Sequence, residues 1–209
     1  ISGHLVCIGA WGVDLGAMTV LLYTFREREM ILDLFEMLCG ARITVSYLRV
    51  GGLRYDATKE FEERCAEFCA LFPGKIDEYE RLLTGNRIWI QRNQDVGVIS
   101  ASSAVDYGLC GPVLRGSGVN RDLRKDEPYL FYDRVEFKVP LGEKGDCFDR
   151  YTVRVEEMRQ SVKIIEQCLN QMTSGAINVD MPEVVPPPKE DVYKNMEALI
   201  HHFKYVSSG

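Results

Sequence analysis

The chain has 209 residues, of which 46% are hydrophobic and 27% are charged. This composition is typical of a globular protein with one or two domains and a sizeable core. The formal net charge of −6 argues against a nucleic-acid-binding protein, which would usually show a basic face, and no cluster of Lys and Arg indicates a polybasic membrane patch. Seven scattered cysteines, with no C-x-x-C pair, favour a reducing compartment and buried thiols.

The first element is the nearly apolar segment LVCIGAWGVDLGAMTVLLYTF, whose one formal charge is Asp14. We predict a single helix over 3–23. A charged residue near the middle of a bilayer costs about 3 kcal/mol, and three glycines lie close to it. The segment is therefore interpreted as a helix buried on all sides of the protein and not as a membrane span.

Thr24 and Glu27 have the spacing of a capping box and predict the start of a second helix, which Gly40 would end. The β-branched section of 42–52 predicts a strand or extended turn. Further helices are predicted at 58–72 and 75–84, separated by Pro73-Gly74, from Ser100 to Tyr107, at about 147–172, and at about 190–204.

Residues 108–146 are rich in Gly, Pro and charge, and the alternating stretch YDRVEFKV at 132–139 predicts a strand. The helix over 147–172 carries apolar residues at alternating steps of three and four, which is typical of a member of a helical bundle. PEVVPPPKE, at 182–190, predicts a stiff linker. We therefore predict four regions in chain order. They are the first part of the helical bundle (1–107), the loop with the β-ribbon (108–146), the long bundle helix (147–180), and the proline-rich linker with the final helix (181–209).

Several motifs can be interpreted either as ordinary structural features or as functional sites. LRGSGVNRDLRK, at 114–125, has glycines and arginines that suit a phosphate loop but lacks G-x-x-x-x-G-K-[ST], so its charges could instead pair across an ordered loop or meet another subunit. Cys65 and Cys69 are better interpreted as core thiols than as metal ligands. His4 is isolated, the adjacent histidines 201 and 202 point to different sides of a helix, and the charges of 26–29 predict a solvated or interface face.

Asp14 is the strongest candidate for chemistry. On a helix, Ala10 and Met18 lie one turn on either side of it, and Val6 and Leu21 extend the stripe, so the carboxylate would face a slot lined by small or apolar groups. It is either a buried Asp satisfied by an Arg or by backbone N–H groups, or a perturbed acid that orients or protonates a neighbour. Spacing alone leaves these two interpretations even.

A resemblance covers the chain essentially from end to end. It is carried by HLVCIGAWGVDLGAMT, YTFREREMILDLFEMLCGARITVSYLRVGGL, IDEYERLLTGNRI, GVIS, GPVLRGSGVNRDLRKDEPY, YDRVEFKVPLGEKGDCFDRYTVRVEEMRQSVKIIEQCLNQM and PPPKEDVYKNMEALIHHFK. These blocks resemble the family of the 49-kDa subunit, also called the D-subunit, of respiratory NADH:quinone oxidoreductase (complex I). The match covers about half of the family length, so we expect a piece of a larger polypeptide that is inactive alone.

The resemblance implies a mainly α fold: a helical bundle with a long charged loop and a short β-ribbon, like the core of the large subunit of nickel–iron hydrogenases. It implies that Asp14, in the motif DLGA, hydrogen-bonds a quinone-site His outside this chain, and that Val6 and Ala10 line the quinone cavity; Met18 is added by helix spacing. It places Arg49 near the terminal iron–sulfur cluster. Many members of the family have a His where this chain has Thr44, which predicts a weaker link between cluster potential and protons.

The implied cofactors and partners lie outside the chain. Ubiquinone would be the substrate at an interface, and a 4Fe-4S cluster would be held by a neighbouring subunit, so no metal is expected on this chain. The expected partners are the cluster-bearing and membrane-arm quinone-site subunits and the remaining segments of the same subunit, with no nucleic acid and only indirect membrane association. The expected location is the matrix side of the mitochondrial inner membrane or the cytoplasmic face of a bacterial plasma membrane. The alternatives are a non-catalytic scaffold of the same assembly and a relative of the hydrogenases, which would require nickel.

Overall fold

The computed structural model describes residues 1–181 and 185–207, and it is mainly helical, which confirms the predicted class. A two-stranded antiparallel sheet pairs β1 (Leu48–Arg49) with β2 (Gly52–Leu53), and a 3-10 turn covers Tyr132–Arg134. The α-helices are α1 Ser2–Asp14, α2 Met18–Cys39, α3 Lys59–Leu83, α4 Arg87–Asn93, α5 Ala101–Asp106, α6 Gly111–Gly116, α7 Leu123–Asp126, α8 Cys147–Gln171, α9 Lys189–Lys194 and α10 Met196–Ser207.

The chain divides into two compact units. The first comprises residues 1–32 and 62–172, and it contains the helical core. The second comprises residues 33–61 and the described part of 173–209. The hairpin of β1 and β2, together with α9 and α10, belongs to the second unit.

The prediction of one helix over 3–23, buried on all sides, was wrong. α1 ends at Asp14, and α2 begins at Met18 after a turn in which Gly16 has a φ of +90°, a backbone conformation that favours glycine. Only one face of α1 is buried, and its residues are Leu5, Ile8, Gly9 and Gly12. Among the helices of the described residues, none combines the length and the apolar character that crossing a membrane requires.

The predicted helix start at Thr24 was also wrong, because α2 is already helical from Met18. Thr24 is fully buried within the helix, and its hydroxyl donates to the carbonyl of Leu21 (3.1 Å). Its side chain lies against α1, where a methyl group on Gly9 would come within 2.5 Å of Thr24 Oγ1. The predicted end of the helix was right: Gly40 has a φ of +72°, and its N–H donates to the carbonyl of Glu36.

Pro73 does not separate two helices, as the sequence predicted, but lies inside α3. Proline removes one helical hydrogen bond and crowds the preceding turn, which costs about 3 kcal/mol. The large side chains on both sides of it are fully buried in the core of the first unit, and they are Phe72, Ile76, Tyr79 and Leu83. Burial of large apolar side chains, worth about 1.5–3 kcal/mol each, outweighs the local penalty.

The alternating segment over 132–139 is not a strand in the structure. Its alternation is real, because Val135 and Phe137 are buried and pack with Ile164 of α8. Its backbone groups, however, bond to glutamine side chains of α8: Gln167 accepts from the N–H of Glu136 and donates to its carbonyl, both at 2.8 Å. Gln160 similarly accepts from the N–H of Lys138 (3.0 Å). The alternation of apolar and polar residues thus identified the buried face of this segment correctly. The backbone of the segment, however, bonds to a helix and not to a second strand.

Two predicted helices of the first unit are confirmed. Ser100 caps α5 by accepting from the N–H of Ser103 (3.2 Å). α8 runs for 25 residues and begins after Asp146, whose carboxylate accepts from the N–H of Asp149 (2.8 Å). The buried side of α8 is wider than the predicted seam and includes polar residues; its members are Tyr151, Val153, Val155, Glu157, Met158, Gln160, Val162 and Ile164.

In the second unit, the predicted strand or turn over 42–52 is a short hairpin. Its register pairs Leu48 with Leu53, and Gly51 forms the turn with a φ of +86°. Gly52 also forms a bridge with Asn178, and a methyl group on Gly52 would clash with the backbone there. The predicted final helix is split into α9 and α10 at Asn195. The predicted linker includes 182–184, which lie outside the described residues.

Candidate functional site

Three of the predicted site residues share one exposed face of α1. Val6, Ala10 and Asp14 are spaced four residues apart, and all three are exposed, Val6 by 36%. They lie opposite the face that packs into the first unit through Leu5 and Ile8. The structure therefore brings these residues together on a surface and does not enclose them in a slot of this chain.

Asp14 is the last residue of α1. The C-terminal end of a helix carries a partial negative charge, so a carboxylate there is unfavourable by a few tenths of a kcal/mol up to about 1 kcal/mol. Among the described residues, no side chain forms a hydrogen bond or an ion pair with Asp14 that would offset this repulsion. The interpretation of Asp14 as a buried Asp satisfied by an Arg or by backbone N–H groups was therefore wrong: its side chain is exposed and forms no such bond within 1–181 and 185–207.

Met18 is placed differently from the way helix spacing suggested. Because α1 ends at Asp14 and Met18 opens α2, the two residues do not belong to one continuous helical stripe. Met18 is 58% exposed. Its assignment to a cavity lining stays a prediction, and Leu21 likewise belongs to α2 and contacts Gly9 of α1.

A charged cluster connects α1 to the rest of the first unit. The Nε2–H of His4 donates to Glu157 Oε2 (2.7 Å), and Arg115 of α6 donates to Glu157 Oε1 through Nε (2.8 Å). Nη2 of the same guanidinium lies 2.7 Å from Oε1 and forms an ion pair with it. The side chains of Glu157 and Arg115 are only 7% and 9% exposed. Burial would raise the pKa of Glu157, but the His4 hydrogen bond and the Arg115 charge outweigh it and hold that pKa below its usual value.

The cluster continues into the loop after α6. Arg115 Nη1 donates to the carbonyl of Arg121 (3.0 Å), and Asp122 binds Arg124 through both carboxylate oxygens (3.0 and 2.6 Å). Burial opposes ionisation of Asp122, yet these bonds and charges lower its pKa. Arg124 also lies 4.8 Å from the ring centre of Phe137. The glycine- and arginine-rich motif at 114–125 thus forms an ordered loop whose charges pair with one another. This was one of the two structural alternatives to a phosphate loop.

The interpretation of His4 as isolated was wrong. It is separated from Glu157 by 153 positions, and helix spacing relates only residues three or four apart, so no local pattern indicated the contact. From the sequence, Glu157 falls off the apolar seam of the predicted helix, so only the structure places it on the buried side of α8, where a carboxylate requires a partner.

The charged run over 26–29 is not simply a solvated face. Glu27 is 1% exposed, and it accepts a hydrogen bond from Arg26 Nε (2.6 Å) and another from the phenol of Tyr79. Burial and the neighbouring carboxylate raise the pKa of Tyr79 well above its usual range, so it remains a neutral donor. These groups join α2 to α3 within the first unit.

The two residues predicted near the iron–sulfur cluster lie in the second unit. Arg49 belongs to β1, is exposed, and donates through Nη1 to Ser46 Oγ (2.6 Å). Thr44 is exposed in the segment before the hairpin. Large apolar side chains of the same segment are also exposed, and they are Ile43, Val45, Leu48, Val50 and Tyr55.

Cys65 and Cys69 are buried in α3, as predicted for core thiols. A hydrogen bond between them lowers the pKa of Cys65 and raises that of Cys69. His201 and His202 are exposed on α10. Within 1–181 and 185–207, no group of three or more His, Cys, Asp or Glu residues has an arrangement suited to a metal ion.

A cleft of about 640 Å³ opens beside the loop after α6, where its lining includes Arg115, Asp122 and Arg124. None of the predicted site residues lines it. A smaller cavity of about 100 Å³ lies at the turn between α1 and α2, lined by Leu15, Gly16 and Ala17 together with Trp89. The candidate site is accordingly the exposed face of α1 and not the larger cleft.

The amino-acid sequence is similar to those of proteins of known family. The profile of the family described as respiratory-chain NADH dehydrogenase, 49 Kd subunit, matches residues 14–209. The D-subunit of NADH-quinone oxidoreductase from Geobacter metallireducens is 53% identical over 209 residues, which are 100% of this chain and 54% of that protein. A D-subunit from Rhizobium meliloti is 54% identical over 210 residues, covering 100% of this chain and 52% of that protein. The D-subunit from Magnetococcus marinus is 52% identical over 206 residues, 99% of this chain and 52% of that protein.

The chain spans about half the length of the curated relatives it matches. The match to the family profile runs from residue 14 to residue 209 of the chain. The chain belongs to the family of the 49-kDa subunit of respiratory-chain NADH dehydrogenase, the D-subunit of NADH-quinone oxidoreductase.

Proposed function

We propose that this chain helps to form the quinone-reduction site of an NADH:quinone oxidoreductase, next to an iron–sulfur cluster held by a neighbouring subunit. In this proposal Asp14 takes part in proton delivery, while Val6, Ala10 and Met18 line the quinone cavity. The assembled enzyme couples electron transfer to proton translocation, and the chain alone is inactive. Membership of the family and the names of the relatives support the proposal.

The observation that carries the proposal is the state of Asp14. It lies exposed at the unfavourable end of α1, without a side-chain partner among the described residues, and beside two exposed apolar residues. A carboxylate without a side-chain partner in the described part of the chain is available to a group supplied by the assembly. An apolar floor next to it suits a hydrophobic ligand with one polar end, which describes a quinone.

Reduction of a quinone to a quinol takes up two electrons and two protons. An ionised Asp14 that accepts a hydrogen bond from an imidazole would raise the proton affinity of that His and favour the charged imidazolium. The imidazolium can then donate a proton to the reduced quinone oxygen, and Asp14 stabilises the charge before the transfer. The imidazole is contributed from outside this chain.

The proposal places Arg49 close to the neighbouring subunit's cluster. A guanidinium there stabilises the additional negative charge of the reduced cluster and raises its potential. The exposed apolar side chains around Arg49, Leu48 and Val50 among them, suit contact with a partner. Thr44 does not titrate as a His would, so we expect a weak dependence of the cluster potential on pH. Potentiometric titration at several pH values measures it, and a full slope would contradict this expectation.

The three relatives compared with this chain are bacterial, which favours the cytoplasmic face of a bacterial plasma membrane over the mitochondrial location. The partners in the proposal are the other subunits of the assembly, above all the one that holds the cluster. Contact with the membrane is indirect, through those subunits.

The test is Asp14→Asn in the assembled complex. We expect quinone reduction to fall by about 10²–10⁴-fold, the usual contribution of a positioned proton-transfer group. Electron transfer from NADH to a soluble artificial acceptor should stay unchanged, since it bypasses the quinone site. Asp106→Asn is the matched control, because Asp106 is also an exposed Asp at the last residue of a helix. Full quinone reductase activity in Asp14→Asn would favour the alternative of a non-catalytic scaffold.

A further inference from the structure

We propose that His4 is a positioning residue: its hydrogen bond to Glu157 fixes the rotation of α1 about its own axis and thereby holds Asp14 in place for proton delivery. This inference rests on the proposed function, because it assigns the support for the same site. It concerns residues of the first unit only.

His4 and Asp14 stand at opposite ends of one rigid element. Ten residues separate them on α1, which corresponds to about 15 Å along the helix. His4 lies at the edge between the buried face, marked by Leu5 and Ile8, and the exposed face that carries Asp14, and its side chain is 23% exposed. A bond at that edge resists rolling of the helix in a way that a bond at the centre of the buried face would not.

The other contacts of α1 are less directional. Gly9 and Gly12 pack against α2, and Trp11 lies with its ring centre 5.8 Å from that of Trp89. Apolar contacts of this kind favour burial but tolerate small rotations. Among the described residues, the bond from His4 to Glu157 is the one hydrogen bond made by a side chain of α1. It is therefore the directional side-chain contact that opposes rotation of α1 about its axis.

The anchor is itself fixed. Glu157 accepts a hydrogen bond from Arg115 Nε and forms an ion pair with its Nη2, and the same guanidinium also binds the carbonyl of Arg121. The side chains of Glu157 and Arg115 are buried, and α6 packs against α8 at this point. Buried charges held by several bonds have few alternative positions. A rigid part of the core thus fixes the position of His4 and, through it, the rotation of α1 about its own axis.

A small roll of α1 would matter at Asp14. A side-chain end lies about 5–6 Å from the helix axis, so a rotation of about 10° moves it by about 1 Å. Displacement of a reacting group by about 1 Å can reduce a rate by about 100-fold. Loss of the His4 bond is therefore expected to affect catalysis even though His4 does not touch the substrate.

The experiment uses two variants of similar size in the assembled complex. His4→Gln keeps a donor that can reach Glu157, whereas His4→Met fills the space without one. We expect kcat for a short-chain quinone to fall roughly 10- to 100-fold in His4→Met, within the range that misplacement produces, and to recover most of that loss in His4→Gln. His201→Ala, an exposed histidine of the second unit, is the control and should leave activity unchanged.

The decisive measurement adds His4→Met to Asp14→Asn. If His4 acts through Asp14, His4→Met has little further effect once Asp14 is gone, so the two losses are not multiplicative. An equal fold-loss in both backgrounds would overturn the positioning role while leaving the proposed function intact. Unchanged activity in His4→Met, failure of Gln to rescue, or failure of both variants to assemble would also overturn it. Full activity in Asp14→Asn would remove the proposed function, and this inference with it.

Discussion

Two carboxylates of the first unit differ in almost every physical respect. Glu157 lies on the buried side of α8, and both of its oxygens accept hydrogen bonds, one from His4 and the other from Arg115. Asp14 lies exposed at the end of α1, where the helix dipole repels it, with no side-chain partner among the described residues. The two sites are joined by one helix, since His4 and Asp14 both belong to α1.

The difference in burial and bonding shows that Glu157 stabilises the fold, whereas Asp14 is available to bind a ligand. A buried carboxylate with two cationic or donating partners cannot exchange them without a large loss of stability. An exposed carboxylate without partners loses little when it is neutralised and can bind a new group. Substitution at Glu157 should therefore act first on stability, and on activity only through displacement of α1. Substitution at Asp14 should act on activity and hardly on stability.

The largest effect on stability is expected for Glu157→Gln. The substitution leaves the buried Arg115 without its carboxylate, and breaking a buried ion pair on one side costs about 3–5 kcal/mol. Hydrogen exchange of α1 and α8, followed by mass spectrometry in the intact complex, should show roughly 100-fold or more faster opening of both helices, since each 1.4 kcal/mol is tenfold.

Glu166→Gln is the matched control, because Glu166 is an exposed residue of the same helix. Its exchange rates should stay within a factor of about two of the wild type, as is usual for surface substitutions. Equal behaviour of the two variants would mean that the buried cluster does not hold α1 to α8.

A second prediction separates the two faces of α1. Gly9→Ala places a methyl group 2.5 Å from Thr24 Oγ1 and 3.0 Å from Leu21 Cδ1, so α1 and α2 must move apart. Overpacking of this kind costs about 1–3 kcal/mol. Gly3→Ala adds the same methyl group where no atom lies within 4 Å, and it should stabilise α1 by about 0.5–1 kcal/mol through helix propensity. Exchange of the α1 amides should thus change in opposite directions, and protection unchanged in both variants would contradict the close packing of α1 on α2.

Much of the fold could be predicted from local pattern. The stop at Gly40, the cap at Ser100 and the full length of α8 depend on neighbouring residues, and the structure agrees with each of them. The predictions at Pro73 and at 132–139 failed because distant partners decide the outcome. Packing of the α3 core outweighs a proline there, and glutamine side chains of α8 replace a partner strand.

In the candidate site, too, some features follow from local spacing and others depend on distant residues. The four-residue spacing of Val6, Ala10 and Asp14 was enough to place them on one face of a helix. Spacing could not reveal which face is buried, and extending the stripe to Met18 failed because the turn at Gly16 ends the helix before it. The contact between His4 and Glu157 crosses 153 positions and depends entirely on the tertiary fold.

Acid should weaken the Glu157 cluster selectively. The pKa of Glu157 in the folded chain lies below its ordinary value of 4.5, so the folded state prefers the ionised form. Its contribution to stability is complete above pH 4.5 and decreases as the pH falls through the lowered pKa. The ratio of α1 exchange rates in Glu157→Gln and in wild type should therefore be smaller at low pH than near neutrality. A ratio independent of pH would show that ionisation of Glu157 contributes nothing to the anchor.

The smallest effect on stability is expected at Asp14, where the effect on activity is expected to be large. Asp14→Asn removes a negative charge from the unfavourable end of α1, so the helix should become more stable by a few tenths of a kcal/mol. Asp106→Asn should stabilise α5 by a similar small amount without loss of quinone reduction. A variant that is slightly more protected from exchange but inactive would show that Asp14 is retained at the expense of stability, as expected of a residue that serves chemistry. Faster exchange of α1 in Asp14→Asn would mean instead that the carboxylate has a structural partner in the assembly, and the contrast with Glu157 would then not hold.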